Sequence, residues 1–182
     1  MTPVGDLSKA DKKYLQIIAA QHNRIVEGGV GASTQILTHY SKGRVISYES
    51  DPKWIERIRD VVFPKVKVSG DCEFRLYTGD VEGRYDLAFV DLEWSLRYKF
   101  AIKAWRLLVP GGKLIFHDAR REKDRQMIAD FLSERYAEVE SLEICPYDTN
   151  FAVFTKRDKR CDYVNWHEVE KMTPKQLGVD WL

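Results

Sequence analysis

The feature that most restricts how this chain can fold is the turn Glu27-Gly28-Gly29-Val30-Gly31. It falls between the short apolar run Arg24-Ile25-Val26 and a helical pattern from Ser33 to Tyr40. Glycines let a backbone pass close to a ligand, and the helix that follows offers unpaired N–H groups at its start. A glycine turn alone is generic, but this one has a partner. After the break Ser41-Lys42-Gly43, a second β-rich segment runs from Arg44 and ends in Glu49. An acidic group about 22 residues beyond Glu27 stands where it would bond the ribose hydroxyls of an adenosine lying across the strand edge. Ser33-Thr34 occupies the place where a dinucleotide fold favours a third glycine. Glu27 would repel a pyrophosphate yet accept hydrogen bonds from a cationic amino-acid group, so the charge favours a sulfonium nucleoside over a nicotinamide dinucleotide.

The rest of the chain continues the same alternation. An amphipathic helix is predicted from Leu7 to Gln21, capped by Asp6 or Ser8. Asp51-Pro52 suits the start of a helix carrying Trp54, Ile55, Ile58, Val61 and Val62. Strands are predicted over Cys72 to Thr78, Tyr85 to Val90 and Lys113 to His117, with a helix from Tyr98 to Leu108 stopped by Val109-Pro110-Gly111-Gly112. A helix from about Glu122 to Arg135 precedes two strands, Glu138 to Ile144 and Phe151 to Thr155. Their link is too short for a crossover helix, so they should pair antiparallel. The expected fold is α/β: a doubly wound, Rossmann-like, mostly parallel seven-stranded sheet closed by a C-terminal antiparallel hairpin.

Length and composition bound the rest. A chain of 182 residues supports one substantial core, read as a domain over 1–155 that includes the opening helix, with 156–182 as a polar tail packing on it. A formal net charge of +1 supplies no electrostatic argument for nucleic acid or an anionic membrane. No segment reaches the ~20 apolar residues of a membrane span, and the start lacks signal-peptide order, so a cytoplasmic protein is expected. Cys72, Cys145 and Cys161 are odd in number and form no CxxC pair, which argues for reduced thiols over a disulfide framework or a zinc site. Nothing in the sequence sets an oligomeric state.

Ligands of open α/β sheets bind at the carboxyl ends of the strands, and here the fourth and fifth strands run into Asp91 and His117-Asp118. Two carboxylates at adjacent strand ends could hold a hard divalent cation such as Mg²⁺, which would lower the pKa of a substrate hydroxyl. The alternative is that Asp91 orients a cofactor while Asp118 caps the helix beginning near Arg120-Arg121-Glu122. His117 reads either as a general base or as a packed core histidine. Trp94, Arg97, Arg120 and Arg121 are expected to form a charged rim around the mouth of the site.

These motifs, in this order, resemble the class I S-adenosylmethionine-dependent methyltransferases. The likeness rests on Val26 to Thr34, Val45 to Asp51, Tyr77-Thr78-Gly79-Asp80, Tyr85 to Asp91 and Leu107 to Gly112, and the hairpin extends it to about Thr155. It implies that Glu27, Gly29 and Gly31 hold the methionine part of the cofactor, Glu49 the ribose, and Asp80 with Val81 the adenine, with Gly28, Thr34 and Ser50 also in the cofactor site; Gly28 stands where the family usually has an apolar residue. Asp91 would sit beside the methyl donor. The segments Phe89 to Trp94 and Phe116 to Ala119 are similar to the metal-dependent catechol-type O-methyltransferases, with Ala119 where those enzymes carry an asparagine ligand. The implied activity is methyl transfer to an oxygen, or a nitrogen, of a small molecule. The competing expectations are a noncatalytic cofactor-binding or regulatory subunit and, further off, a nicotinamide-dependent oxidoreductase. The Asn-Pro-Pro-Tyr-like and Pro-Cys segments of DNA base methyltransferases are absent after the fourth strand.

Overall fold

A computed structural model describes residues 7–65 and 70–158. Seven strands form one sheet in the order β3-β2-β1-β4-β5-β7-β6. They are β1 (Arg24–Gly28), β2 (Arg44–Glu49), β3 (Asp71–Leu76), β4 (Tyr85–Val90), β5 (Leu108–His117), β6 (Val139–Ile144) and β7 (Phe151–Lys156). All neighbours pair parallel except β7, which runs antiparallel to both β5 and β6. This is the doubly wound sheet with a terminal hairpin that the alternation predicts. The chain reverses its direction of winding between β1 and β4, so their carboxyl ends define the crevice where such sheets bind ligands.

The helices are α1 (Lys9–Ala19), α2 (Ala32–Tyr40), α3 (Pro52–Arg57), α4 (Trp94–Leu107) and α5 (Glu122–Arg135). Alternate residues of each central strand feed two cores. Val26, Ala88, Val90, Leu114 and Phe116 pack with Phe100, Trp105 and Phe131 of α4 and α5. Ile25, Leu87, Phe89 and Ile115 pack with Leu15 of α1 and Leu37 of α2. Ser8 starts α1 with a reciprocal cap: its hydroxyl accepts from the Asp11 N–H, and the Asp11 carboxylate accepts from the Ser8 N–H. Asp51 caps α3 by accepting from the Lys53 N–H, with Pro52 in the first turn.

Three boundaries depart from expectation. The helix predicted through Val62 stops being regular at Arg57 and continues as a π turn over Ile58–Val62 and a 3₁₀ turn over Phe63–Lys65. Pro64 explains this, because it lacks an N–H and crowds the preceding turn. α4 starts at Trp94 instead of Tyr98. Val109 to Gly112 end the helix but also join β5 as a bulge: Tyr85 pairs with Leu108, and the next pair is Leu87 with Lys113. The expected cap Asp6 and the tail from residue 159 onward, including Cys161, lie outside the described residues. Cys72 and Cys145 are free thiols. Among the described residues no helix is long and apolar enough to cross a membrane.

Candidate functional site

The glycine turn is held from three sides. Gly28 ends β1 with the place of its missing Cβ filled by Phe100, 2.7 Å away, which accounts for a glycine where an apolar residue is usual. Gly29 has φ of +98°, and a Cβ there would lie 2.3 Å from the Asp91 carbonyl oxygen. The turn therefore passes against the end of β4 at a distance that only glycine allows. The Val30 N–H donates to Glu49 Oε2 at 3.1 Å, and the Val30 carbonyl accepts from the Trp54 indole at 2.7 Å. The Gly31 N–H donates to the buried Thr34 hydroxyl at 2.8 Å. Glu49 also accepts from the Ser50 N–H and hydroxyl and from the Asp51 N–H, so it ties the turn to the loop beyond β2.

Glu27 lies beneath this turn and is fully buried. One carboxylate oxygen accepts from the Ser33 hydroxyl at 2.5 Å and the other from the Ser47 hydroxyl at 2.6 Å. Burial pushes its pKa up to about 7, against the lowering effect of those hydroxyls. Glu27 thus braces strand, turn and helix from inside.

The second cluster forms where β4 and β5 end. One ligand atom from each of Asp91, His117 and Asp118 falls within 4.8 Å of the others, which brings together the three residues expected to meet there. Asp118 adopts the left-handed backbone, with φ of +64°, and its side chain is buried. His117 Nδ1 lies 3.2 Å from Asp91 and 3.6 Å from Asp118, and neither ring nitrogen has an aligned hydrogen-bond partner among the described residues. Burial lowers the imidazole pKa, but Asp91, Asp118 and Asp11 outweigh it and hold the pKa above its ordinary value.

Arg97 corrects the rim expectation. It is 6% exposed and enters the cluster from α4. Its Nη2 donates to Asp91 Oδ1 at 2.7 Å and to Asp118 Oδ2 at 3.0 Å, Nη1 donates to Asp124 Oδ1 at 2.9 Å, and Nε donates to the Leu92 carbonyl at 2.6 Å. Asp118 Oδ1 forms an ion pair with Arg121 at 2.7 Å and accepts from the Asn150 amide at 3.3 Å. The expectation that Asp118 caps the next helix fails as well: α5 has Arg121 at its N-cap position and no side-chain cap. Burial raises the pKa of Asp124, opposed by Arg97.

A divalent cation fits this arrangement poorly: Arg97 takes Asp91 Oδ1 and Asp118 Oδ2, and Arg121 and Asn150 take Asp118 Oδ1. Of the converging Asp91–His117–Asp118 atoms only Asp91 Oδ2 and His117 Nδ1 lie outside these contacts, one oxygen and one nitrogen where a hard cation prefers several oxygens. Ala119, where a third oxygen ligand would stand, is buried and apolar.

No sequence motif marks Arg97, Asp124 and Asp11 as members of the cluster. Asp11 reaches the cluster from α1, accepting from the Asn150 N–H at 2.7 Å. Each of the three shares a face with the buried residues of its helix, and that pattern was the available signal.

The remaining expected residues lie along the sheet edge. Asp80 is exposed and paired with Lys103, while Val81 is buried beside Tyr48 and Tyr77. Next to them is a cavity of about 490 Å³, lined by Tyr77, Thr78, Gly79, Leu96, Lys99 and Lys103. Of the rim residues, Trp94 is half exposed under Lys123, and Arg120 pairs with Asp148.

No protein-family profile and no curated protein sequence matches the chain. Solved structures do. A methyltransferase-like protein from Silicibacter pomeroyi is similar over 97% of this chain and 98% of its own, with a TM-score of 0.62 and 15% identity. A putative O-methyltransferase from Klebsiella pneumoniae is similar over 86% and 84%, with a TM-score of 0.66 and 16% identity. An O-methyltransferase from Bacillus cereus, solved in complex with SAH, is similar over 84% and 82%, with a TM-score of 0.64 and 19% identity. The chain shares the fold of these solved methyltransferase and methyltransferase-like structures.

Proposed function

We propose that the chain is an S-adenosylmethionine-dependent methyltransferase acting on an oxygen, or a nitrogen, of a small molecule. The observation that carries this reading is the close approach of Gly29 to the Asp91 backbone, with Glu49 on one side of the turn and the Asp91–His117 pair on the other. The similarity to an O-methyltransferase that binds SAH supports it. S-adenosylmethionine supplies an electrophilic methyl group on a sulfonium. The backbone of Gly29 to Gly31 would line its methionine part, with Thr34 fixing the turn and Glu27 bracing it from below. Glu49, with Ser50 beside it, would release Val30 to take the ribose hydroxyls. The cavity by Asp80 and Val81 would receive the adenine. Asp91, at 29% side-chain exposure, is the member of the strand-end cluster that faces the cofactor. The acceptor's lone pair forms the new bond to the methyl carbon as the carbon–sulfur bond breaks toward sulfur. His117, made more basic by its carboxylate neighbours, is the group we assign to take the acceptor's proton.

A second reading, a cofactor-binding protein without catalysis, has its own support in the burial of His117 at 3% exposure and of Arg97 among the strand-end carboxylates. Titration calorimetry with S-adenosylmethionine and S-adenosylhomocysteine tests what the two readings share, and absence of heat with both at about millimolar concentration sinks both. Release of S-adenosylhomocysteine in a screen of phenols, carboxylates and amines then separates them.

A further inference from the structure

We propose that the Arg97 guanidinium takes the place of a divalent cation between Asp91 and Asp118, so that the strand-end cluster works without metal. The inference rests on reading those two residues as the strand-end carboxylates of a methyl-transfer site. A hard divalent cation asks such a place for several oxygen ligands and compensating negative charge, usually with water completing its coordination. Here one oxygen from each of Asp91, Asp118 and Asp124 accepts from a single guanidinium. Arginine keeps its charge at any working pH, and its flat fork of donors suits several carboxylates at once. The second oxygen of Asp118 is occupied by Arg121 and Asn150. The amide oxygen of Asn150 accepts from the Arg120 N–H at 2.9 Å, so it is turned away from the carboxylates. Asp91 Oδ2 and His117 Nδ1, 3.2 Å apart, lie outside the arginine contacts, so a metal ion there would find one carboxylate oxygen and one nitrogen, would face the buried Arg97 cation, and would meet a methyl group at Ala119.

The substitution has a chemical consequence. A metal ion bridging the carboxylates would keep an open position where a substrate hydroxyl could bind and lose its proton. Arg97 bridges them with its donors directed at the carboxylates and the Leu92 carbonyl, so it offsets part of the cluster's negative charge without polarising a substrate. The acceptor is therefore a group nucleophilic once its proton passes to a side chain, such as an amine, a carboxylate or an acidic phenol.

The test reads metal binding, not turnover. With protein and Mn²⁺ each at about 0.1 mM, the six-line paramagnetic resonance signal of free Mn²⁺ should keep its full amplitude over wild-type protein. Arg97→Met removes the charge and leaves the carboxylates, and it should take up one equivalent of Mn²⁺, at least roughly tenfold tighter than wild type. If Arg97→Met unfolds in chelator, Mn²⁺ should restore its circular dichroism. Binding of one equivalent by wild type, lost in Asp118→Asn, overturns the proposal, and so does a folded Arg97→Met that leaves the signal undiminished. Should the variant stay unfolded with and without Mn²⁺, the wild-type measurement decides alone. Failure to bind S-adenosylmethionine would overturn the methyl-transfer reading and leave this measurement standing.

Discussion

The two halves of the strand-end crevice are built on opposite principles. Around the glycine turn, backbone meets backbone, and the one buried acid, Glu27, is satisfied by two neutral hydroxyls. Around Asp118, a few ångströms along the same edge, three carboxylates and two arginines form a nearly closed ionic knot. The first half holds its shape by steric exclusion and the second by charge balance. A conservative change should therefore injure each half in a different way.

The largest effect is expected in the ionic half. Arg97→Met leaves Asp118 and Asp124 buried without their main counter-charge, and breaking a buried pair from one side costs about 3–5 kcal/mol. Urea denaturation in chelator measures the loss. A loss under about 1 kcal/mol would mean that water reaches the knot, and the contrast between the halves would collapse.

Gly29→Ala probes the steric half. The new methyl would lie 2.3 Å from a backbone oxygen, at a φ that L residues avoid. Local strain plus overpacking predicts a loss of about 2–4 kcal/mol. Because the clash falls on Asp91, S-adenosylmethionine affinity should drop with it, by calorimetry, at least roughly tenfold. Unchanged affinity in a folded variant would show that the turn and the end of β4 do not bind the cofactor together.

The contrast also explains what could be read from sequence. The alternation of β-branched runs with amphipathic segments carried the sheet, and β4 and α5 begin and end at the residues expected. The start of β5 is not legible in sequence because Pro110 and Gly111 mark the helix stop there and, in space, also form the bulge through which β5 begins. In the site, Asp91, His117 and Asp118 were legible because strand ends in a parallel sheet converge by topology alone. Arg97 was not, because a charge near a strand end looks like a solvated rim. Its register says otherwise. Arg97 shares a face with Phe100, Ala101 and Ala104, Asp124 with Met127, Ile128 and Phe131, and Asp11 with Leu15 and Ile18. A charged residue at the opening of an apolar stripe is buried with the stripe, and must find a counter-charge or hydrogen bonds there, as Arg97 and Asp124 do in each other and Asp11 does in the Ser8 and Asn150 N–H groups. Three such positions on three helices end at the same cluster.

The smallest expected effect concerns Glu27, the acid that the steric half carries without a counter-ion. Its pKa rises from 4.5 to about 7 on folding. A group whose folded pKa is raised binds its proton more tightly in the folded state, so its contribution is complete below about pH 4.5 and is lost as pH climbs through about 7. Stability should therefore fall by about 1 kcal/mol between pH 6 and pH 8 from this residue. His117, also raised, adds to the fall in the same direction. Glu27→Gln removes the Glu27 share while keeping one acceptor for a serine hydroxyl, so its denaturation midpoint should decline less over that interval than the wild type's. Asp118→Asn, by contrast, should weaken the knot at every pH in the interval, since Arg97 and Arg121 stay charged throughout. If Glu27→Gln instead follows the wild-type profile, Glu27 is ionised beneath the turn at neutral pH. The half held by shape would then conceal a charge of its own, one suited to a cationic ligand just above it.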